Sequence, residues 1–348
     1  MPQPNEQTTV LLTGGTGYIG SHTAVELIEA GFEVVIVDNL SNSNIEVLNG
    51  IEKITGIRPR FIKADCADIA AMQQVFATYP SIKNVIHFAA SKAVGESFQL
   101  PLEYYRNNLV SLLNLLQIIT EKGREANLVF SSSCAVYGQP DELPVTEKSP
   151  YKKPTSPYGN TKKISEEIIL DTIASGKNLT VIALRYFNPI GAHATAEIGE
   201  LPLGTPLNLI PYITQTAAGV RENLTVYGND FSTPDGTAIR DYFSVVDLAQ
   251  GHVMALQRML NGNCKAKFEA FNLGGGEGSS VLELIGAFEK VSGVKLNYKF
   301  APRRQGDVER VWADTTYAKV ELGWEPKISL EQALLSAWVW EKKLRGIR

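Results

Sequence analysis

The chain has 348 residues, of which 20% are charged and 44% hydrophobic, and its net charge is −4. This balance is typical of a soluble globular protein with one large or two modest domains. It argues against a general nucleic-acid binder, which usually carries a basic excess. No apolar run is long enough to span a bilayer, so we expect neither a membrane nor a nucleic-acid partner.

Cysteine and histidine usage bears on the cellular compartment and on metal binding. Cys66, Cys134 and Cys264 are too few and too scattered for a disulfide framework, which favours a reducing compartment. The amino terminus is polar and does not resemble a signal peptide. We therefore expect a cytoplasmic protein. The four histidines lack metal-ligand spacing, and no metal site is predicted.

Short strands alternate with helices over the first half of the chain. Periodicity predicts strands at 8–13, 33–37, 60–64, 84–88, 126–131 and 179–184, with helices at 18–30, 102–122 and 158–174 and a further helical pattern between the third and fourth strands. This alternation indicates βαβ units and a parallel sheet covered on both faces. The predicted fold class is α/β, a Rossmann-type doubly wound parallel sheet.

The second half of the chain has a different character. After about residue 188, glycine, proline and asparagine become frequent and the alternation weakens. We therefore expect a Rossmann domain over 1–188 and a smaller α/β substrate-binding domain over 189–348. The boundary is soft, because 241–260 is typical of one more strand–helix unit that can rejoin the first domain.

A glycine-rich motif follows the first predicted strand. Gly14, Gly17 and Gly20 permit a tight turn, close approach of the backbone to a pyrophosphate, and close packing of the next helix on the sheet. The helix amino terminus then offers free N–H groups to the phosphates. Asp38 ends the second strand and can accept a ribose 2′-hydroxyl. No arginine or lysine stands at 39–41, so NAD is favoured over NADP.

Two further strand ends fit a dinucleotide site. Asp65 and Cys66 follow the third strand, and Phe88 and Ala89 follow the fourth. Ligands of open α/β sheets bind at the carboxyl ends of the strands. Lys92 comes shortly afterwards, although its position alone is more typical of a solvated surface lysine.

A second motif predicts acid–base chemistry. Tyr158 and Lys162 are four residues apart, so on a helix they lie on one face. A neighbouring ammonium favours the phenolate and is expected to lower the pKa of Tyr158 toward neutrality. Tyr158 is then a candidate general base. Ser131 and Ser133 stand at the end of the fifth strand, where Ser133 can hydrogen-bond a substrate hydroxyl and relay its proton.

Together these motifs resemble the extended short-chain dehydrogenase/reductase family and, within it, the branch of UDP-glucose 4-epimerases. The resemblance runs from about residue 8 to about residue 340. It implies an NAD-dependent isomerase that interconverts UDP-glucose and UDP-galactose through a 4-keto intermediate, with Ser133, Tyr158 and Lys162 as the catalytic residues. The stretches that carry it are 13–22, 37–40, 93–97, 101–105, 131–133, 156–159, 184–189, 240–242 and 301–304.

The motifs and the resemblance also assign residues to the two ligands. The expected NAD-binding residues are Gly14, Gly17, Tyr18, Ile19, Gly20, Asp38, Asn39, Ser43, Asp65, Cys66, Phe88, Ala89, Lys92, Asn107, Asn108, Ser131, Tyr158, Lys162 and Tyr186. The expected UDP-hexose-binding residues are Lys92, Ser133, Tyr158, Asn188, Asn208, Leu209, Tyr227, Arg240, Tyr242, Arg304, Asp307 and Val311. Two arginines suit a diphosphate, because a guanidinium matches phosphate oxygens bidentately.

Other net reactions use a similar site. A sugar-nucleotide 4,6-dehydratase needs an acid–base pair directly after the serine, but Cys134 and Ala135 stand there. An NAD-dependent nucleotide-sugar dehydrogenase, an epimerase for another sugar such as UDP-glucuronate, and a dinucleotide sensor are further alternatives. The sensor is disfavoured because Tyr158 and Lys162 are both present.

One departure from the family pattern bears on specificity. In strict glucose/galactose epimerases, a tyrosine precedes the Trp-Ala-Asp stretch, whereas Val311 precedes it here. The resemblance associates a small residue at this place with room for an N-acetyl group at C2. We hypothesise that UDP-GlcNAc and UDP-GalNAc are also interconverted. The alternative is that Val311 only packs and neighbouring loops close the pocket.

The two long predicted helices bear on oligomeric state. The resemblance implies that 102–122 and 158–174 pair with their copies in a homodimer. The run 109–119 is also richer in apolar residues than one buried helix face requires.

Overall fold

The structure is a computed structural model, and it describes residues 8–347. Within this range, no helix combines the length and the apolar character that a membrane span requires. The strands are β1 (Thr9–Thr13), β2 (Glu33–Asp38), β3 (Arg60–Lys63), β4 (Asn84–His87), β5 (Ala126–Ser133), β6 (Leu179–Tyr186), β7 (Asn188–Ile190), β8 (Leu224–Tyr227), β9 (Ile239–Arg240), β10 (Tyr242–Ser244), β11 (Phe268–Leu273), β12 (Ser279–Ser280), β13 (Tyr298–Ala301) and β14 (Arg310–Val311). The helices are α1 (Tyr18–Glu29), α2 (Val47–Thr55), α3 (Ile69–Thr78), α4 (Val94–Gln99), α5 (Pro101–Ile119), α6 (Pro157–Ala174), α7 (Leu209–Ala217), α8 (Val245–Leu260), α9 (Val281–Ser292) and α10 (Leu330–Arg345).

A seven-stranded parallel sheet organises the described residues. Its strand order is β11-β6-β5-β4-β1-β2-β3, and the order reverses between β1 and β4. The predicted α/β doubly wound fold class is confirmed. Ligand sites in such sheets lie at this reversal, beyond the carboxyl ends of the strands.

The two faces of the sheet explain why the strands are apolar throughout. In β1, Val10 and Leu12 point into the core under α1, α2 and α8, whereas Leu11 points into the core under α3, α5 and α6. All three side chains are fully buried. A strand covered on both sides therefore has no polar alternation, as the sequence indicated.

Strands β5 and β6 extend beyond their predicted ends. Ser132 and Ser133 continue β5 and pair with Arg185 and Tyr186 of β6. Periodicity missed these positions because they are polar although they are buried. Their burial matters, since it brings polar side chains to the carboxyl edge of the sheet.

A third core lies in the second half of the chain. It joins α7, α9 and α10 around Ile213, Leu284, Phe288 and Trp338. The segment 245–273 belongs elsewhere, because α8 packs on α1 and β11 pairs with β6 in the main sheet. The division into domains at residue 188 stays a prediction.

Candidate active site

The glycine-rich turn between β1 and α1 is tightly packed against the loop after β4. Gly14 has a positive φ of 70°, and a Cβ there would lie 2.8 Å from the backbone nitrogen of Ala89. A Cβ on Gly20 would lie 2.5 Å from the carbonyl oxygen of Gly14. Gly17 immediately precedes α1 and has no side chain that could cap the free N–H groups of the first turn of this helix. The turn therefore leaves backbone donors available to a pyrophosphate, which fits NAD.

Asp38 is fixed at the end of β2. Its carboxylate accepts hydrogen bonds from the backbone nitrogens of Thr16 at 3.2 Å and Leu40 at 2.8 Å, and from the Ser43 hydroxyl at 3.1 Å. Thr16 lies in the glycine turn, so the carboxylate and the phosphate cradle are held together. A fixed acceptor at this place fits the hydroxyls of a nucleotide ribose.

The neighbouring predicted residues follow the same sheet edge. The Asn39 amide donates to Asp65 at 3.1 Å, and the ring of Phe88 lies 4.7 Å from that of His252. Burial raises the pKa of the Cys66 thiol to about 12, so this side chain is a neutral apolar group rather than a nucleophile. Ile19 is only partly buried and packs against the main core.

The asparagine pair on α5 holds the loop after β4. The buried Asn108 amide accepts from the Ser91 backbone nitrogen at 2.7 Å and donates to the Ser91 carbonyl and the Thr161 hydroxyl, both at 3.0 Å. Asn107 donates to the Ser91 hydroxyl at 3.1 Å. In this structure the pair fixes the loop that leads to Lys92.

The predicted catalytic residues come together at the ends of β5 and α6. Ser133 is the last residue of β5, and Tyr158 lies in the first turn of α6, whose Ser156 cap accepts a hydrogen bond from Gly159 at 3.1 Å. Lys162 lies one turn later and donates to the Ser131 carbonyl at 2.6 Å. The Tyr186 hydroxyl is hydrogen-bonded to that of Ser131, which adds it to the same cluster.

The pKa of Tyr158 shifts in the direction opposite to the one that the sequence predicted. Burial raises its pKa to about 12, and a hydrogen bond with Ser133 opposes only part of that increase. The predicted lowering is wrong in this structure, because the Lys162 ammonium is directed at a carbonyl oxygen and desolvation dominates. Burial lowers the pKa of Lys162 to about 8, against the opposing charge of Glu166.

Lys92 contacts both halves of the site. Its ammonium lies 3.6 Å from a carboxylate oxygen of Glu200 and 5.9 Å from the ring centroid of Tyr18. The Asn208 amide donates to the same Glu200 oxygen. The Tyr18 hydroxyl donates to the Gly191 carbonyl at 2.7 Å, which fixes the ring against the second half of the chain.

Two arginines and a carboxylate form the proposed nucleotide pocket. Arg304 binds Asp307 with an N–O distance of 3.1 Å, and Arg240 lies 3.7 Å from the same carboxylate. The Arg304 guanidinium stacks 5.0 Å from the ring centroid of Tyr227. Burial raises the pKa of Tyr242 to about 12, and the charges of both arginines oppose that increase. This arrangement supplies bidentate donors and a ring surface, which fit a nucleoside diphosphate.

This pocket adjoins the predicted catalytic residues. Cys134 directly follows Ser133, and the charge of Arg240 acts on its thiol. Val311 is buried in β14 and pairs with Arg240 in register. The backbone nitrogen of Asn188 donates to the Asp241 carbonyl at 3.0 Å.

Leu209 begins α7 directly after Asn208. Among residues 8–347, no cluster of three or more histidine, cysteine, aspartate or glutamate side chains could hold a metal ion.

Sequence reasoning missed three carboxylates around the site. Glu200 binds Lys92 and Asn208. Asp241 accepts from the backbone nitrogens of Gly275, Gly276 and Ala313, which joins three loops behind the nucleotide pocket. Glu166 on α6 forms a buried ion pair with Arg185 on β6.

Glu166 alone had a local signal. It stands four residues after Lys162 and eight after Tyr158, on the same helix face.

Known proteins share this sequence and fold. The family model described as GDP-mannose 4,6 dehydratase matches residues 11–336. The UDP-glucose 4-epimerase of Bacillus subtilis is 50% identical over 95% of this chain and 96% of that protein. The mouse UDP-glucose 4-epimerase is 47% identical over 96% of each chain.

A solved structure agrees with these sequence matches. The UDP-glucose 4-epimerase of Bifidobacterium longum, crystallised with NAD+ and UDP, is 44% identical, covers 98% of this chain and 100% of its own, and superimposes with a TM-score of 0.93. Identity at this level over almost the full length of both chains defines a family rather than a fold alone. The chain therefore belongs to the UDP-glucose 4-epimerase family, within the wider group that the GDP-mannose 4,6 dehydratase model describes.

Proposed function

We propose that the chain is an NAD-dependent 4-epimerase that interconverts UDP-glucose and UDP-galactose through a 4-keto intermediate. The observation that carries the proposal is the junction of two sites: Ser133, Tyr158 and Lys162 lie beside a pocket built on Arg240 and Arg304. The epimerase relatives, one of them crystallised with NAD+ and UDP, support the same pair of ligands.

Each catalytic side chain has a role that follows from its position. Tyr158 removes the proton of the sugar 4-hydroxyl and later returns it, and the Ser133 hydroxyl hydrogen-bonds the same oxygen. Lys162 lies one helical turn after Tyr158, and its positive charge favours the phenolate that forms when the proton is transferred. NAD, when bound, supplies the acceptor and donor for the hydride at C4.

The nucleotide pocket has a separate task. Arg240 and Arg304 bind the diphosphate, and Asp307 holds both guanidinium groups in place. Binding energy for the whole substrate then comes from the UDP half, which is the same in both epimers. The sugar is left free enough to present either face of its 4-keto form to the cofactor.

The residues after Ser133 argue against dehydration. A 4,6-dehydratase has to abstract the C5 proton and protonate the leaving C6 hydroxyl. Here Cys134 and Ala135 stand at the two positions where that reaction needs an acid and a base. A thiol and a methyl group cannot protonate the leaving hydroxyl while abstracting the C5 proton.

A turnover experiment tests the net reaction. Purified protein is given UDP-galactose without added cofactor, and products are followed by NMR while absorbance is read in the NADH band. Conversion to UDP-glucose without net NADH supports the proposal. NADH accumulation that requires added NAD would indicate a dehydrogenase, and tight NAD binding without turnover would indicate a sensor.

We also propose that the sugar pocket admits an N-acetyl group at C2. Val311 is small, buried and directly beside Arg240, so it lies at the boundary between nucleotide and sugar. Val311→Tyr should abolish conversion of UDP-GalNAc because the ring fills that space, while UDP-galactose is still converted. The two substrates serve as controls for each other in one variant. Unchanged UDP-GalNAc turnover in the variant contradicts the proposal.

Two broader features complete the proposal. Leu113 on α5 and Leu170 on α6 are 47% and 41% exposed, although α5 and α6 pack together, which supports a homodimer built on these helices.

The three cysteines are free, which supports a reducing cytoplasm.

A further inference from the structure

A buried ion pair lies directly behind the catalytic residues. Glu166 on α6 and Arg185 on β6 are 1% and 3% exposed. Their two contacts are parallel: Nε donates to Oε1 at 3.1 Å, and a terminal nitrogen donates to Oε2 at 2.7 Å. This bidentate geometry fixes the side chains in one relative orientation.

The pair contacts the strand that carries the catalytic serine. The Ser132 hydroxyl donates to Glu166, and Ser132 pairs with Arg185 in the β5–β6 register. Ser132 directly precedes Ser133. Glu166 therefore connects the end of β5 to the helix face that also carries Tyr158 and Lys162.

Further contacts enclose the arginine. Its guanidinium lies 5.3 Å from the ring centroid of Tyr137 and 4.8 Å from that of Tyr151. It donates to both hydroxyls, and the Tyr137 hydroxyl donates to Asn272 at 2.7 Å. The Asn272 amide donates to the carbonyl of Val145 at 2.9 Å.

This chain of contacts reaches the substrate side. The Val145 backbone nitrogen donates to the carbonyl of Trp312, the residue after Val311, and the Val145 carbonyl accepts from the backbone nitrogen of Asp314. The ion pair is thus continuous with the segment that borders the sugar pocket.

A buried ion pair is a poor source of stability, because desolvation offsets the attraction and an apolar pair of similar volume often serves as well. We infer that Glu166 and Arg185 are positioning residues for the proposed 4-epimerase reaction, which hold Ser133 in register with Tyr158 and Lys162. Neither side chain touches the reacting atoms. Their contribution is the geometry in which the serine and tyrosine share the sugar hydroxyl, and the inference rests on the proposed function.

A matched pair of double variants tests this role. Glu166→Met with Arg185→Met removes both charges and the contact to Ser132, yet keeps the volume. The control is Arg258→Met with Glu269→Met, a second buried Arg–Glu pair with a 2.7 Å contact between α8 and β11, away from the catalytic residues. Both double variants are compared with the wild type in thermal unfolding and in steady-state turnover of UDP-galactose.

A positioning role predicts a selective loss. We expect kcat of the Glu166/Arg185 variant to fall about tenfold to a hundredfold, because small misplacements of catalytic groups have effects of this size, while KM stays within about threefold. The control should keep its kcat. If the two double variants have equal kcat, whatever stability both have lost, the inference is overturned.

The pH profile supplies a second readout. Glu166 on α6 and His87 on β4 are the titratable groups whose charges couple to Lys162 in the structure, and Tyr158 lies one turn away. In Glu166→Gln, which removes this charge and keeps Arg185, the Lys162 ammonium is lost at lower pH, so the alkaline limb of kcat should move to lower pH. In the Arg258/Glu269 control it should stay in place. An unmoved limb in Glu166→Gln contradicts the assignment.

Ser132→Ala covers the case in which the double variant fails to fold. It removes one hydroxyl and leaves the ion pair intact. We expect a several-fold fall in kcat without a matching rise in KM. If Ser132→Ala keeps the kcat of the wild type, the positioning role is overturned but the proposed function is not. If the wild-type enzyme itself is inactive, the proposed function and the positioning role are overturned together.

Discussion

At the scale of single residues, buried Lys162 predicts the pH dependence of the proposed reaction. Burial lowers the pKa of Lys162 to about 8. As the pH rises through that value, the ammonium loses its proton and no longer stabilises the Tyr158 phenolate. We therefore expect kcat for UDP-galactose to decline above about pH 8. A kcat that stays constant to pH 10 contradicts this reasoning.

The proposed proton transfer depends on the Tyr158 hydroxyl. Tyr158→Phe keeps the ring and removes the hydroxyl, so we expect kcat to fall about 10²- to 10⁴-fold, the usual contribution of a positioned acid–base group. NAD binding, followed by fluorescence titration, should persist. The matched control is Tyr298→Phe on the half-exposed strand β13, which should keep full activity. Equal activity of the two variants would remove Tyr158 from the mechanism.

Local spacing predicted which side chains come together better than it predicted their charge states. Tyr158 and Lys162 were predicted together because i and i+4 positions share a helix face. The predicted direction of the Tyr158 pKa shift was wrong because burial, which depends on the whole fold, dominates, and the Lys162 ammonium is directed at the Ser131 carbonyl. The contact between Lys92 and Glu200 joins positions more than a hundred residues apart, and no local pattern indicates it.

At the scale of elements, the start of α6 determines where Tyr158 lies. Ser156 caps the helix through Gly159, and Pro157 and Tyr158 form its first turn. Ser156→Ala should lower the free energy of unfolding by about 0.5–2 kcal/mol, the usual contribution of a cap. It should also reduce kcat, because the first turn frays. Chemical denaturation and turnover measure the two effects.

The control for this variant is a cap far from the site. Ser329 caps α10 in the same way, through Gln332. Ser329→Ala should lose comparable stability and keep its kcat. If both variants lose activity in proportion to stability, the start of α6 has no special role in positioning Tyr158.

Element prediction succeeded where packing is regular. The first six strands of the sheet were predicted close to their observed positions. For the interior strands the reason is that burial on both faces gives short apolar runs between turns. β11 was missed, although it belongs to the same sheet. Its sequence, FEAFNL, includes a glutamate, Glu269, which is buried in the structure. The charge of Glu269 is paired with Arg258 on α8, and no local pattern in the sequence reveals that partner.

At the scale of the whole molecule, the exposed leucines of α5 and α6 allow the proposed homodimer to be tested. Leu113→Glu with Leu170→Glu should convert the proposed dimer to a monomer, because a carboxylate is costly to bury in an apolar contact. Sedimentation velocity measures the change. Leu335→Glu with Val339→Glu on exposed positions of α10 is the control and should leave the assembly unchanged. A wild-type monomer contradicts the homodimer itself.

The late position of β11 in the chain has a consequence for protein synthesis. β6 ends at Tyr186, but the strand that covers its outer edge ends at Leu273. At synthesis rates of about 5–20 residues per second, the apolar edge of β6 stays unpaired for roughly 4–17 s after the ribosome has made it. Unpaired apolar edges invite pairing between chains. Nascent chains on the same message are therefore most prone to aggregation in this interval, before residue 273 emerges.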